Sequence, residues 1–193
     1  MNGSLVVISA PSGAGKTTIC RELQKERPNW IFSVSCTTRP KREYEKDGFD
    51  YQFASQEEFD QMVKAGDLVE FEEVHGYMYG TVRNNVEKAI ANGDVLLLEV
   101  DVKGGVAIKE AYPGHATTIF VRPPSKEVLK KRLRTRGADS EARITKRLER
   151  MKMEMAFEDQ YDFSVVNDDI TETVSTILDR LQDRENGGTK NGN

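Results

Sequence analysis

The chain has 193 residues, with 28 Lys and Arg against 32 Asp and Glu, a formal charge of −4 and 37% hydrophobic residues. That composition fits one soluble domain with a real core and one or two inserted pieces, and it excludes disorder as the main state. A mildly acidic balance also argues against a protein that coats nucleic acid, where affinity comes from neutralising phosphates with excess Lys and Arg. It leaves room for a small phosphorylated ligand on a local basic cluster.

Cys20 and Cys36 are too few for a disulfide framework and fit no metal motif, and His75 and His115 stand apart from them. A reducing compartment and no zinc site are therefore expected. Met1 to Ser4 lacks the features of a signal peptide, and no apolar stretch approaches the roughly 20 residues of a membrane span. The expectation is a cytoplasmic protein with no membrane or nucleic-acid partner.

Short β-branched runs alternate with helical segments, the pattern of an α/β fold with a parallel sheet. Leu5 to Ile8 predicts a buried first strand. Directly after it stands Ser9-Ala10-Pro11-Ser12-Gly13-Ala14-Gly15-Lys16-Thr17-Thr18, and then a helix to about Glu26. This is a phosphate-binding loop (P-loop) in its required context of strand before and helix after. Small residues let successive backbone N–H groups turn inward around a phosphate, and the helix N-terminus adds its partial positive charge. Residues Ala10 to Thr18 are thus the expected ATP-binding segment. Lys16 supplies a full charge to the β- and γ-phosphates, and Thr17 a hydroxyl ligand for Mg²⁺. Ala10 stands where the strict pattern has Gly.

Phe32 to Cys36, Val95 to Val100, Thr117 to Val121 and Phe163 to Asn167 complete a predicted five-stranded parallel sheet. Between the second and third of these strands, residues 37–86 read as an inserted subdomain: strand candidates alternate with polar residues, and Glu43 to His75 holds eleven acids and two lysines. Ser55 to Glu58 is a capping box opening a helix that runs to Ala65 and ends at Gly66. Leu68 to Val74 and Tyr77-Met78-Tyr79 predict strands of a small separate sheet. Asp101-Val102-Lys103-Gly104 has the form of a γ-phosphate sensor, but the N-K-x-D string of a GTPase has no well-placed counterpart. Arg122 to Arg150 is helical and basic, with eleven Lys and Arg against four acids, entered by Pro123-Pro124 with Ser125 as N-cap. The last helix is amphipathic through Ile170, Val174, Ile177, Leu178 and Leu181, and the tail from Glu185 reads as disordered.

The segments Ser33 to Arg39, Arg42, Gly48 to Phe53, Glu70 and Tyr79-Gly80-Thr81 closely resemble the nucleoside-monophosphate-binding part of guanylate kinases. The resemblance continues through Glu99-Val100-Asp101, Pro123-Pro124-Ser125, Arg136-Gly137, Lys146-Arg147-Leu148 and Val166 to Asp169, covering about residues 5 to 182. It implies a P-loop core (1–36, 87–122 and 151–185), a mixed α+β GMP-binding subdomain (37–86), a helical lid (123–150) and a disordered tail (186–193). The implied reaction is transfer of the γ-phosphoryl group of ATP to GMP, with Mg²⁺ accompanying ATP and dGMP left open as a second acceptor. A catalytically inactive guanylate-kinase-like binding module and another nucleoside monophosphate kinase are the alternatives.

Arg39 and Arg42, three residues apart, are suited to fork around a dianionic phosphate, with the Tyr51 and Tyr79 hydroxyls beside them. Glu70 is the natural guanine reader, since one carboxylate can accept from both N1–H and the 2-amino group, and Ser35 and Thr81 are further base contacts. By resemblance, Glu99 and Asp101 lie near GMP and the metal, Arg132 lies against ATP, and Asn167 and Asp168 touch its adenine end. Lys16, Arg42, Arg136 and Arg147 are the expected catalytic cations. Against the usual family pattern, Lys41 stands at a proline and Tyr44 at the glycine before Glu45.

Overall fold

In this computed structural model the described residues are 3–74, 76–135 and 141–188, with several side chains in 132–146 and 185–188 outside the description. His75 and Arg136 fall outside it, as does the side chain of Arg132. The chain runs β1 (Ser4–Ser9), α1 (Lys16–Glu26), β2 (Ile31–Phe32), β3 (Cys36–Thr37), β4 (Gln52–Phe53), α2 (Gln56–Ala65), β5 (Leu68–Val74) and β6 (Tyr77–Val82). It continues through α3 (Arg83–Asn92), β7 (Val95–Val100), α4 (Val102–Ala111), β8 (Ala116–Arg122), α5 (Lys126–Thr135), α6 (Glu141–Met155), β9 (Phe163–Val166) and α7 (Ile170–Gly188).

Five strands form a parallel sheet in the order β2-β7-β1-β8-β9. Alternate residues of β1 face opposite sides, as the period of two requires. Val6 and Ile8 pack with Ile19 and Leu23 of α1 and Val174 and Ile177 of α7. Leu5 and Val7 pack with Val86 and Ala89 of α3 and Ile108 of α4. Each face buries several large aliphatic side chains, and full burial of one contributes about 1.5–3 kcal/mol. The second sheet is smaller and mixed, in the order β4-β3-β6-β5, around a core of Cys36, Phe59 and Leu68. The predicted capping box is present: Glu58 N–H donates to the Ser55 hydroxyl while the Glu58 carboxylate accepts Ser55 N–H, and α2 ends on Gly66 at φ 74°.

Two boundaries differ from expectation. The run Phe32 to Cys36 is not one core strand. After Ser33 N–H donates to Leu97 O at 2.9 Å the chain leaves the parallel sheet, and Cys36 pairs instead with Gln52 and Gly80 in the second sheet. A short apolar run carries no mark of which sheet each end joins. At the other terminus α7 continues to Gly188, past the expected start of the tail, because the i to i−4 ladder needs no apolar side chains to persist, and the rest of the expected tail, 189–193, lies outside the described residues. Among the described residues no helix is long and apolar enough to cross a membrane.

Candidate functional site

A cleft of about 970 Å³ opens between the C-terminal ends of the core strands and the second sheet. Its floor is the loop between β1 and α1. Gly13 and Gly15 stand at φ 91° and 101°, a left-handed conformation that L side chains rarely adopt. A Cβ on Gly15 would also lie 2.3 Å from Asn167 Nδ2, which donates to Ala14 O at 2.7 Å and braces the loop from behind. Ala10 and Ala14 are buried in the core cluster, so the methyl that replaces the usual first glycine has apolar neighbours. Lys16 Nζ donates to Val100 O at 2.8 Å across the end of β7, and the Thr17 hydroxyl donates to Glu99 Oε1 at 2.6 Å.

Asp101 directly follows β7 and caps α4, accepting Gly104 N–H at 2.8 Å. The sensor-like D-x-x-G string is therefore a helix cap with a second constraint: a Cβ on Gly104 would lie 2.5 Å from Glu70 Oε2. Glycine lets the acid of the second sheet approach the core at this point.

Glu70 reaches that place through a register shift in β5. Leu68 pairs with Val82 but Glu70 with Thr81, a bulge that re-aims the side chain. The Thr81 hydroxyl, 1% exposed, donates to Glu70 Oε1 at 2.5 Å. Burial, reinforced by the nearby Asp101 charge and opposed by Thr81 and Lys16, pushes the Glu70 carboxyl up to about 7. Tyr51 and Tyr79 line the same wall edge to face, with ring centroids 6.0 Å apart. Burial raises the Tyr51 hydroxyl to about 12, so it stays a neutral donor. Ser35 lines the cleft as well. Its neighbour Cys36 is fully buried, and burial pushes its thiol up to about 11, which leaves no thiolate nucleophile at neutral pH.

The two arginines do not form an open fork. Arg39 lies behind the wall, with its guanidinium over the rings of Tyr51 and Phe53 and Nη2 2.6 Å from Glu45 Oε1. Arg42 lines the cleft, exposed, and its Nη1 donates to the Tyr44 hydroxyl at 2.8 Å. Glu45, 6% exposed, is the acid that organises both, since it also accepts Arg42 N–H at 2.8 Å. The hydrogen bond from Arg39 holds the Glu45 carboxyl below its usual value.

The remaining expected residues sit around this centre. Thr18 is exposed at the start of α1, and Asp168 is exposed after β9. Asn167 is 5% exposed and spent on the loop rather than on the cleft. Arg147 is half-buried on α6. Sequence reasoning gives no functional role to Tyr44, Glu45, Arg150 or Glu154. The last two line the cleft from α6, and Glu154 Oε2 accepts Ser12 N–H at 3.1 Å. The only signal for them in the sequence is the R-x-x-x-E spacing of Arg150 and Glu154, which is common on solvated helices.

For a divalent cation, Thr17 and Glu99 offer hard oxygen donors 2.6 Å apart, with Asp101 also in the cleft wall. Among the described residues no three His, Cys, Asp or Glu side chains gather as a metal centre. A cation at Thr17 therefore needs oxygens from a ligand to complete its shell.

The chain matches the family described as Guanylate kinase over residues 2–184. It is 42% identical over 191 residues to the guanylate kinase of Thermotoga maritima, covering 99% of this chain and 92% of that one. It is 41% identical over 185 residues to that of Synechocystis sp., covering 96% of each. Among solved structures it resembles the guanylate kinase of Anaplasma phagocytophilum, with TM-score 0.78 and 34% identity over 95% of this chain and 86% of that chain. A gluconokinase from Sinorhizobium meliloti, 15% identical at TM-score 0.55 over 99% of this chain and 98% of that one, shares the fold.

Proposed function

Because the chain belongs to the guanylate kinase family and transfers the γ-phosphoryl group of ATP to GMP, we propose that the cleft described above holds both nucleotides, donor on the loop and acceptor on the second sheet. The observation that carries this reading is the placement of Glu70 and Lys16 on the same cleft, an acid for a base edge facing a loop for a triphosphate. On this reading the expected core (1–36, 87–122 and 151–185), GMP-binding subdomain (37–86) and lid (123–150) stand with two shifted bounds: Cys36 pairs in the second sheet, and α3, which packs on the core, begins at Arg83.

ATP phosphates lie on the loop 10–18 and take N–H groups from its Gly13 to Thr18 end, since Pro11 has none and Ser12 N–H goes to Glu154, and Lys16 exchanges Val100 O for the β- and γ-phosphates. Family members use a divalent cation with ATP, and here we assign Mg²⁺ to the Thr17 hydroxyl, with Glu99 and Asp101 beside it. When bound, that ion screens the charge of the phosphate chain. Asn167 braces the loop, and Asp168 lies toward the adenine end with Arg132.

Glu70 in its ionised form accepts from guanine N1–H and the 2-amino group. Adenine offers neither donor there and sets a lone pair against the carboxylate. Thr81 fixes the Glu70 rotamer, and Ser35 contacts the base. Arg42, Tyr51 and Tyr79 hold the acceptor phosphate, and Arg39 joins them when the phosphate dianion draws it from Glu45. Two charge-assisted bonds from a guanidinium hold such a dianion well.

A loose phosphoryl transfer asks little covalent work of a protein. The acceptor is already a phosphate oxygen, so no strong base is required. Alignment and charge stabilisation in a water-excluding cleft carry the rate, with Arg136 and Arg147 spreading charge on the transferring group. The buried free thiols of Cys20 and Cys36 support a cytoplasmic place of action.

The test is a coupled assay of ADP formation with GMP, AMP, UMP and dTMP as acceptors. Turnover with GMP and about 10⁴-fold less with AMP is expected, because a site that loses its buried hydrogen-bond partners discriminates on that scale. Equal use of AMP would remove Glu70 from the base pocket.

A further inference from the structure

Glu154 closes the cleft from α6 and is 7% exposed. Its two oxygens have different partners: Oε2 accepts Ser12 N–H at 3.1 Å, in the middle of the phosphate loop, and Oε1 accepts Arg150 Nε at 2.7 Å. Desolvating a carboxylate is costly unless donors repay it. Here one donor is a loop amide and the other a guanidinium that also lines the cleft. The pair is an i,i+4 couple on one helical face, so α6 is fastened to the loop at one point and presents a cation beside that point.

A carboxylate placed alone at a phosphate site would repel the ligand. Paired with Arg150 it does not, and its grip on Nε fixes the plane of a fork whose Nη groups match phosphate oxygens. Arg147 lies three residues earlier on the same helix, so the same fastening sets where that arginine stands relative to the loop.

We propose that Glu154 is a positioning residue for phosphoryl transfer: it pins α6 to the Ser12 amide and holds Arg150 as a further phosphate-contacting cation on the ATP side of the cleft. The proposal rests on the reading of the loop as the ATP site.

Four full-chain variants test it: Glu154→Ala, Glu154→Gln, Arg150→Ala and the double variant, with Lys16→Ala as the reference for the loop itself. Glu154→Ala is expected to lower kcat/KM for ATP by about tenfold or more, the size of one lost charge-assisted contact, while the Kd for GMP stays within about twofold. Arg150→Ala should show the same pattern, and the double variant should be no worse than the poorer single one, because the two act as a unit. Glu154→Gln keeps an acceptor for Ser12 N–H but not the charge on Arg150, and it should fall between wild type and Glu154→Ala.

An activity for Glu154→Ala and Glu154→Gln within twofold of wild type overturns the proposal. So do losses that fall equally on ATP and GMP together with a large drop in Tm, which mark a purely structural acid. Tighter ATP binding by either Glu154 variant also overturns it, since the carboxylate would then be a competitor of the phosphates. If Lys16→Ala keeps full turnover, the loop assignment has failed instead, and that result is distinguishable from all of these.

Discussion

The two halves of the cleft are built from different materials. On the donor side the binding groups are backbone amides of a loop braced at Ala14 by Asn167, with Lys16 reaching Val100 O, above a sheet whose central strands β1, β7 and β8 pack against helices on both faces. On the acceptor side they are side chains, Glu70 and Tyr79 on strands and Arg42 and Tyr51 on the connection between β3 and β4, carried by a sheet that includes two-residue strands and packs around three buried residues. A backbone site needs glycines at fixed local positions. A side-chain site needs strands in the right register, which no local string records. The first stands on the two large apolar clusters of the core sheet, whereas the second has less buried apolar surface to resist local opening.

The sharpest way to break this comparison is to remove the donor-side cation. Lys16→Ala should lower kcat by about 10³-fold, as removal of a preorganised charge from the transferring group does, with the KM for GMP little changed; steady-state kinetics read both. On the acceptor side, Glu70→Gln should lower kcat/KM for GMP by about 100-fold and leave the KM for ATP near wild type, since the loss is of bonds to a charged acceptor in a buried site.

The raised Glu70 carboxyl adds a pH signature to the same half. With its value near 7, the ionised form that reads guanine is lost as pH falls through 7, so GMP affinity should drop by up to about tenfold per pH unit below it. The substrate phosphate, whose second ionisation lies near 6, adds its own slope. Glu70→Gln shares only that second slope, so the difference between the two profiles isolates the carboxyl. Profiles that coincide would show that Glu70 does not titrate against GMP. The sign for stability is opposite to that of an ordinary paired acid: a folded-state value above the unfolded one makes Glu70 cost stability as pH rises from about 4.5 to 7.

The smallest expected effect concerns Tyr44. Tyr44→Phe removes only the exposed hydroxyl that accepts from Arg42, and it should raise the KM for GMP by about two- to threefold with kcat unchanged, as exposed contacts are weak.

Legibility followed the same division. The loop, its flanking strand and helix, the α2 capping box and the amphipathic face of α7 were readable because each is a local pattern with a local cause. Phe32 to Cys36 misled because its two ends serve different sheets. Residue types on the acceptor side are named by resemblance, yet the guanidinium of Arg39 packs behind the wall, and Glu45, which organises both arginines, stands in the sequence only as a marker of the family pattern with no role attached. Gly104 looked like part of a phosphate sensor and is a close approach to Glu70. Glu154 was invisible for the plainest reason: it meets Ser12 across 142 residues of sequence.

The central claim is that one cleft reads two nucleotides by separable means. Calorimetric titration of the full chain with each nucleotide alone tests it most directly, using wild type, Lys16→Ala and Glu70→Gln. The account predicts a crossed result, in which Lys16→Ala weakens ATP binding by about tenfold or more and spares GMP, while Glu70→Gln weakens GMP and spares ATP. Equal weakening of both nucleotides by both substitutions would contradict it.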